Sequence, residues 1–133
     1  MTSRRALLDT SVLIAQESGR PLDTESLPEQ TAVSVVTLAE LHAGVLVAGE
    51  TNTRARRLMT LDAVSIAEAL PVTAEAARQW ATLRVRLAEE GHAAKINDLW
   101  IAAVAAANEM DVVTQDNDFD AIESVGGPTV IRV

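Results

Sequence analysis

Short apolar runs alternate with helical segments along the whole chain. The apolar runs that predict strands cover residues 5–8, 32–36, 69–72, 111–114 and 129–133. The segments that predict helices cover residues 11–16, 37–48, 52–67, 73–90 and 97–110. Strands that are joined by helices pair in parallel and are covered on both faces. The sequence therefore predicts an α/β fold in three layers, α/β/α, around a mostly parallel, twisted sheet of four to five strands.

Composition limits the chain to a few classes. Its 133 residues suit one domain spanning 1–133, and 48% hydrophobic residues are ample for a core. The absence of cysteine excludes disulfides, cysteine-ligated zinc and thiol catalysis. An apolar run at 6–15 follows two arginines, yet Asp9 interrupts it and no clear cleavage site follows. No stretch is long enough to cross a membrane, so we expect a cytoplasmic protein without membrane association.

The charge of the chain is strongly acidic. A net charge of −8 argues against a protein that binds nucleic acid through bulk charge. Two bound divalent ions would reduce that charge to −4. Positive charge is concentrated locally at Arg54, Arg56 and Arg57, which are candidates for contact with a polyanion backbone. A solvated helix face is the alternative interpretation of these arginines.

Four acidic residues follow predicted strands or begin the next helix. They are Asp9, Glu40, Asp98 and Asp116. In a doubly wound fold such positions lie along one edge of the sheet, where ligands bind. Clustered carboxylates repel each other, and a hard divalent metal such as Mg²⁺ or Mn²⁺ would keep them ionised. A metal held by carboxylates suits phosphodiester hydrolysis.

Each acid also has an ordinary structural interpretation. Asp9 can cap a helix, and Glu40 stands three residues after Thr37 at the spacing of a capping box. Asp98 lies at a helix start, where the helix dipole favours an anion. Asp116 lies in a polar turn, where aspartate is common. Only their joint position at one edge of the sheet favours a functional site.

Four segments of the chain resemble the motifs of a known family. They are LLDTSVLIA, VVTLAELHAG, NDLWIAAVA and VVTQDNDFD, in that order. With these the chain resembles the PIN-domain ribonucleases, specifically the VapC-type toxins of bacterial and archaeal toxin–antitoxin pairs. The resemblance covers nearly the whole chain. Each motif alone is weak, whereas four in order with compatible spacing are fairly specific.

The resemblance implies roles for individual residues. The catalytic acids would be Asp9, Glu40, Asp98 and Asp116, of which Asp9, Asp98 and Asp116 would hold Mg²⁺ or Mn²⁺. Glu40 would orient the attacking water or help to hold a second ion. The fourth motif offers Asp118 as an acid that replaces or assists Asp116. Supporting roles fall to the hydroxyl residues of the first and fourth motifs, which are Thr10, Ser11 and Thr114.

The resemblance also implies an activity and partners. The expected reaction is endonucleolytic cleavage of RNA by metal-activated water, which leaves a 5′-phosphate and a 3′-hydroxyl. The expected partners are a second copy of the chain in a homodimer and a small antitoxin that blocks the acidic site, often with an arginine. Arg54, Arg56 and Arg57 become candidates for contact with the RNA backbone.

Other classes of protein cluster acids in the same way. A small metal-dependent phosphatase of the haloacid dehalogenase type needs D-x-D after the first strand, where this chain has Ser11 as the third residue. A signalling receiver domain needs a lysine at the end of a late strand, but Lys95, the only lysine, precedes a helix. A catalytically inactive PIN-like module that binds other proteins is the remaining alternative.

Overall fold

A computed structural model of the chain describes residues 4–66 and 69–133. Within these residues four strands form one sheet: β1 (Arg5–Leu8), β2 (Gln30–Ala32), β3 (Asp111–Thr114) and β4 (Val130–Arg132). Six α-helices surround it: α1 (Thr10–Ser18), α2 (Val35–Val47), α3 (Thr51–Ser65), α4 (Ala74–Glu89), α5 (Ile96–Ala107) and α6 (Asp120–Ser124). A short 3-10 helix, Thr24–Ser26, lies in the loop before β2.

All four strands run in the same direction. Their order is β2-β1-β3-β4, and every neighbouring pair is parallel. The backbone N–H of Asp9 donates to the carbonyl of Val113 at 2.8 Å, which extends the pairing of β1 and β3 by one residue. The carboxyl ends of β1, β2 and β3 therefore meet at one edge, which we call the carboxyl edge. Ligands of open parallel sheets bind at this edge.

Neighbouring side chains of each central strand point to opposite faces of the sheet. Leu7 of β1 and Val112 of β3 belong to a cluster with residues of α4, α5 and α6. Ala6 and Val113, the neighbours of these residues, pack with Val12 of α1 on the other side. This alternation follows from the two-residue period of a strand. The predicted three-layer α/β/α fold with a parallel sheet is confirmed.

Helix α5 is the central helix of the larger cluster. All five residues from 101 to 105 are buried, and three of them are alanines. Small side chains let α5 pack closely against both α4 and the sheet. This packing fixes the first turn of α5, which carries Asp98, at the carboxyl edge. Among the described helices, none is both long and apolar enough to pass through a membrane.

Two predicted strands are wrong in detail. The apolar run at 32–36 was predicted as a strand, but β2 ends at Ala32 and α2 begins at Val35. Ser34 causes the early helix start, because its hydroxyl accepts a hydrogen bond from the Thr37 N–H at 3.2 Å. The run at 69–72 forms only an isolated parallel bridge between Leu70 and Ser34 in the described chain.

The predicted helix over 52–67 is observed as α3, with differences at its end. Ala67 lies outside the described residues. Leu61 is buried as expected, but Ile66 is 90% exposed and Leu58 is 45% exposed. Helix α3 therefore buries fewer of its apolar side chains against the rest of the protein than the sequence pattern suggests. In contrast, α4 begins where Thr73 predicts, because the Thr73 hydroxyl accepts from the Ala76 N–H at 3.1 Å.

Candidate active site

Asp9 follows β1 directly and turns its side chain toward β3. Its backbone is extended at the N-cap of α1, but its carboxylate makes no capping hydrogen bond within the described chain. Instead Oδ2 accepts from Ser11 Oγ at 2.6 Å and from Thr114 Oγ1 at 3.0 Å. The side chain is nearly inaccessible, with 4% of its residue surface exposed. The capping interpretation of Asp9 is therefore wrong, and the carboxylate is held in place by two hydroxyls.

Glu40 lies in the second turn of α2 and faces the start of α1. Its Oε1 accepts a hydrogen bond from Thr10 Oγ1 at 2.7 Å. Thr10 also contacts Thr37 Oγ1 at 3.0 Å, in a buried pair of hydroxyls. Because Ser34 and not Thr37 caps α2, the capping-box interpretation of Glu40 is wrong. Thr10, which directly follows Asp9, thus ties Glu40 of α2 to the start of α1.

Asp116 lies two residues beyond β3 and belongs to the same network. Its Oδ1 lies 3.3 Å from Thr114 Oγ1 and accepts from the Asp118 N–H at 3.1 Å. Thr114 is fully buried and stands between the carboxylates of Asp9 and Asp116. The carboxylate of Asp118 instead pairs with Lys95. Of the two acids in the fourth motif, Asp116 is therefore the one that shares a hydroxyl with Asp9.

Asp98 is the least satisfied acid of the group. It lies in the first turn of α5 and is buried, and within the described chain its Oδ2 has no hydrogen-bond partner. Burial raises the pKa of Asp98 to about 7, and the charges of Asp9, Asp118 and Asp116 add to the rise. Unpaired buried carboxylates are strongly disfavoured in their charged form. The fold therefore holds a carboxyl group whose ionised form is only weakly compensated within the described residues.

The pKa of Asp9 is raised as well, for the same main reason. Burial is the largest cause and the charge of Asp116 adds to it, whereas the hydrogen bonds from Ser11 and Thr114 oppose it. Electrostatic repulsion thus links three of the four predicted acids at the carboxyl edge, namely Asp9, Asp98 and Asp116. Glu40 accepts its hydrogen bond from Thr10, the residue next to Asp9 in the chain.

These acids fit a hard cation, although not as a closed cage. In residues 4–66 and 69–133 no three acidic or histidine side chains form a compact set of metal ligands. Mg²⁺ usually keeps several waters and binds through only one or two carboxylates, so a closed set is not required. The unpartnered Oδ2 of Asp98 is an oxygen ligand of the right kind. A divalent cation there would offset the repulsion that raises the pKa of Asp98.

The structure places a cation, Lys95, beside the acids, which the sequence alone did not predict. Lys95, directly before α5, donates from Nζ to Asp118 Oδ2 at 2.7 Å. Its charge also acts on Asp98, where it opposes the rise in pKa. Its position in the sequence could have indicated this, because the only lysine of the chain stands three residues before Asp98. The acids of the carboxyl edge therefore have a cation beside them.

Two of the three clustered arginines bind the end of a helix. Arg54 donates to the carbonyl of Ala48 at 2.7 Å, and Arg57 donates to that of Gly44 at 2.6 Å. These carbonyls belong to the last turn of α2 and its C-cap, where cations are favourable. Arg56 is exposed and contacts Thr53 at 3.4 Å. Arg54 and Arg57 therefore stabilise the α2–α3 hairpin.

Comparison with known proteins agrees with this geometry. Residues 6–125 match the PIN domain family. The chain is 54% identical to Ribonuclease VapC5 of Mycobacterium tuberculosis, over 99% of this chain and 98% of that protein. It is 41% identical to Ribonuclease VapC4 of the same organism, over 94% of this chain and 96% of that protein.

A solved structure extends the similarity to three dimensions. The crystal structure of VapBC-5 from Mycobacterium tuberculosis, a member of the VapBC family of toxin–antitoxin systems, contains a chain that is 52% identical. The two chains superpose with a TM-score of 0.90, covering 97% of this chain and 98% of the other. Fold, sequence and family match agree. The chain therefore belongs to the PIN-domain family, among the VapC ribonucleases.

Proposed function

We propose that this chain is an Mg²⁺- or Mn²⁺-dependent endoribonuclease that acts as the toxin of a toxin–antitoxin pair. One observation carries the proposal. The buried Oδ2 of Asp98 has no partner in the described chain, and burial, together with the charges of nearby acids, raises the pKa of this residue. Such an arrangement is stable in its ionised form only with a cation. The relatives that are named ribonucleases supply the substrate class.

The acids divide into a metal-holding set and a water-orienting residue. Asp9, Asp98 and Asp116 would hold the ion, partly through water, whereas Asp118 pairs with Lys95 and lies outside this set. A bound Mg²⁺ or Mn²⁺ supplies Lewis acidity and lowers the pKa of water at the site. Ser11 and Thr114 keep the Asp9 carboxylate in one orientation through their hydroxyls. Rigid support of this kind preserves ligand geometry.

Glu40 would orient the attacking water and accept its proton. Thr10 holds one carboxylate oxygen of Glu40, which leaves the second to accept a hydrogen bond from water. Water attacks the phosphorus, and the bond from phosphorus to the 3′ oxygen breaks. The 3′ oxygen leaves as a hydroxyl once protonated, and the phosphate stays on the 5′ side. Detection of a 2′,3′-cyclic phosphate on the product would overturn this mechanism.

The antitoxin partner is supported by a second surface. A groove of about 270 Å³ lies between α1 and α3, and its lining includes Leu13, Met59 and Val64. Met59 is 73% exposed, so its side chain is accessible to an apolar partner. We assign this groove to an antitoxin segment, in line with the related toxin–antitoxin structure. An arginine of that segment would offset the charge of the acids.

The homodimer is a separate proposal, which rests on membership of the family.

The test is cleavage of a panel of tRNAs and ribosomal RNA by the chain without antitoxin. Reactions contain Mg²⁺, Mn²⁺ or EDTA, and Asp9→Asn is run in parallel. We expect discrete cuts that need a divalent ion and disappear in the variant. Absence of cleavage by a folded protein that binds metal would point to a missing substrate. Absence of both cleavage and metal binding would favour the inactive interaction module.

Replacement of Thr10 by valine should remove the hydrogen bond that holds Glu40 in position. Thr10→Val keeps the shape of the side chain but removes the donor to Glu40 at 2.7 Å. We expect kcat to fall roughly 10- to 100-fold, the range that is typical for loss of a group that orients a ligand. Thr60→Val is the matched control, because Thr60 donates to Glu17 at 2.8 Å between α3 and α1. Equal loss of activity in both variants would contradict a specific role for Thr10.

A further inference from the structure

A groove next to the candidate active site is lined mostly by residues to which no role has been assigned. It measures about 460 Å³ and lies between the segment before α5 and the turn after β3. Its lining consists of Ala93, Ala94, Lys95, Asn117, Asp118 and Ala121. The volume lies within the range of small-ligand pockets. Two of its lining residues, Lys95 and Asp118, lie close enough to Asp98 for their charges to act on it, so the groove borders the acids.

The chemistry of the lining is that of a nucleotide site. Three alanines provide a small apolar surface, against which a flat base can lie. Asn117 is exposed, and its side-chain amide offers both a donor and an acceptor. Lys95 provides a positive charge for a phosphate. No aromatic residue lines the groove, so the base would be bound by its edge and by apolar contact.

The Lys95–Asp118 pair is suited to exchange one anion for another. The Lys95 side chain is 73% exposed and that of Asp118 is 36% exposed. Solvated ion pairs of this kind contribute little to stability. The ammonium is carried on a flexible four-carbon chain, so it can move to a new partner without a change in the backbone. An arriving phosphate would therefore compete with Asp118 for Lys95.

The charge of the whole chain favours a role for such a residue in binding RNA. At −8 the protein repels RNA, and the metal offsets charge only at the reacting phosphate. Arg54 and Arg57 are engaged by the carbonyls of α2. Lys95, in contrast, lies where its charge reaches the acids themselves, since it acts on Asp98. It is placed to hold the phosphate next to the one that is cut.

We propose that this groove is a nucleotide subsite in which Lys95 leaves Asp118 to bind the RNA phosphate adjacent to the scissile one, while Asn117 and the alanines receive the base. The inference rests on the proposed ribonuclease function and deepens it. Lys95 acts on substrate binding, whereas the acids act on the chemical step. Its removal should therefore raise KM more than it lowers kcat.

The experiment uses the RNA that the chain cuts in the panel described above. Steady-state cleavage in Mg²⁺ is measured at several salt concentrations for Lys95→Ala, Lys95→Arg and Asp118→Asn. Arg4→Ala is the matched control. Arg4 also pairs with a carboxylate, Asp111, at 2.8 Å, but at the amino ends of the strands, on the opposite edge of the sheet. Arg4→Ala thus removes one positive charge from the chain, as Lys95→Ala does, but at a position away from the groove.

We expect Lys95→Ala to raise KM about tenfold, and the salt dependence of log(kcat/KM) to lose about 0.7 in slope, the value of one phosphate contact with a single strand. Lys95→Arg should retain a low KM, and Arg4→Ala should behave as the unmodified chain. Asp118→Asn should not raise KM, because it removes the anion that competes for Lys95.

Two results would overturn the inference while leaving the proposed function intact. The first is an unchanged KM and salt slope in Lys95→Ala. The second is an equal rise of KM in Lys95→Ala and Asp118→Asn, which would mean that the ion pair only supports the local structure. If the unmodified chain neither cuts RNA nor binds a divalent metal, the proposed function fails and the subsite fails with it.

Discussion

Asp98→Asn is expected to lower the RNA cleavage rate by more than about a hundredfold while the protein remains folded. Loss of a residue that merely orients a metal ligand typically lowers activity 10- to 100-fold, so loss of a direct ligand should exceed that range. The exchange is nearly isosteric. It also removes a buried charge whose Oδ2 has no partner in the described part of the chain. Stability should therefore not fall.

The measurement combines single-turnover cleavage with thermal unfolding. Asp62→Asn serves as the control, because Asp62 is an exposed aspartate on α3 and its replacement changes the charge by the same amount. Near wild-type cleavage by Asp98→Asn would show that the site assignment is wrong. Loss of activity together with loss of the fold would instead assign Asp98 a structural role.

The second expected result is that the metal-free protein loses stability as the pH rises from about 4 to about 7. The pKa of Asp98 is raised from 3.8 to about 7 in the folded protein, so the folded state binds more protons than the unfolded state within that window. Stability therefore falls with pH between the two values. One pKa unit corresponds to about 1.4 kcal/mol, so we expect a loss of roughly 2–4 kcal/mol. The raised pKa of Asp9 acts in the same direction.

Mg²⁺ should cancel this loss at pH 8. A ligand that binds only the folded state at 100 times its Kd adds about 2.7 kcal/mol. Urea unfolding at pH 5, 6, 7 and 8, with EDTA or with Mg²⁺, measures both effects. The two tryptophans of the chain report unfolding, because Trp80 and Trp100 stack with their ring centres 5.0 Å apart and Trp100 is two residues from Asp98.

Asp98→Asn provides the internal control for this pH series. Without the Asp98 carboxyl group, most of the dependence on pH and on Mg²⁺ should disappear. A metal-free wild-type protein that is more stable at pH 8 than at pH 5 would contradict the prediction, since it would mean that the acids of the carboxyl edge ionise without penalty. Equal pH dependence in wild type and variant would assign the effect to another group.

Local patterns were sufficient to predict the elements that lie in the centre of the fold. The runs at 5–8 and 111–114 became β1 and β3, because continuous apolar residues suit strands that are buried on both faces. Thr73 predicted the start of α4, since a capping hydroxyl acts within its own turn. The order of the four motifs was likewise sufficient to predict the PIN family.

Prediction was weaker where two local signals competed. In the segment 32–36 the apolar residues favoured a strand, but the Ser34 cap favoured a helix, and the helix formed. The extended segment at 69–72 had a strand-like composition but found only one bridge partner, at Ser34. Strand length depends on the available partner, and a partner distant in sequence is not visible from composition.

The sequence by itself determined the α/β class, the parallel sheet and the set of acids, because hydrophobic period and residue type are local properties of the chain. Tertiary structure alone decided how those acids are used. It connected Asp9 to Asp116 through Thr114, which is 105 residues from Asp9, and it paired Lys95 with Asp118 across 23 residues. It also left Asp98 without a partner in the described chain. Burial, hydrogen-bond geometry and charge proximity arise only when distant segments meet, and they favour the proposed cation site over four separate local roles for the acids.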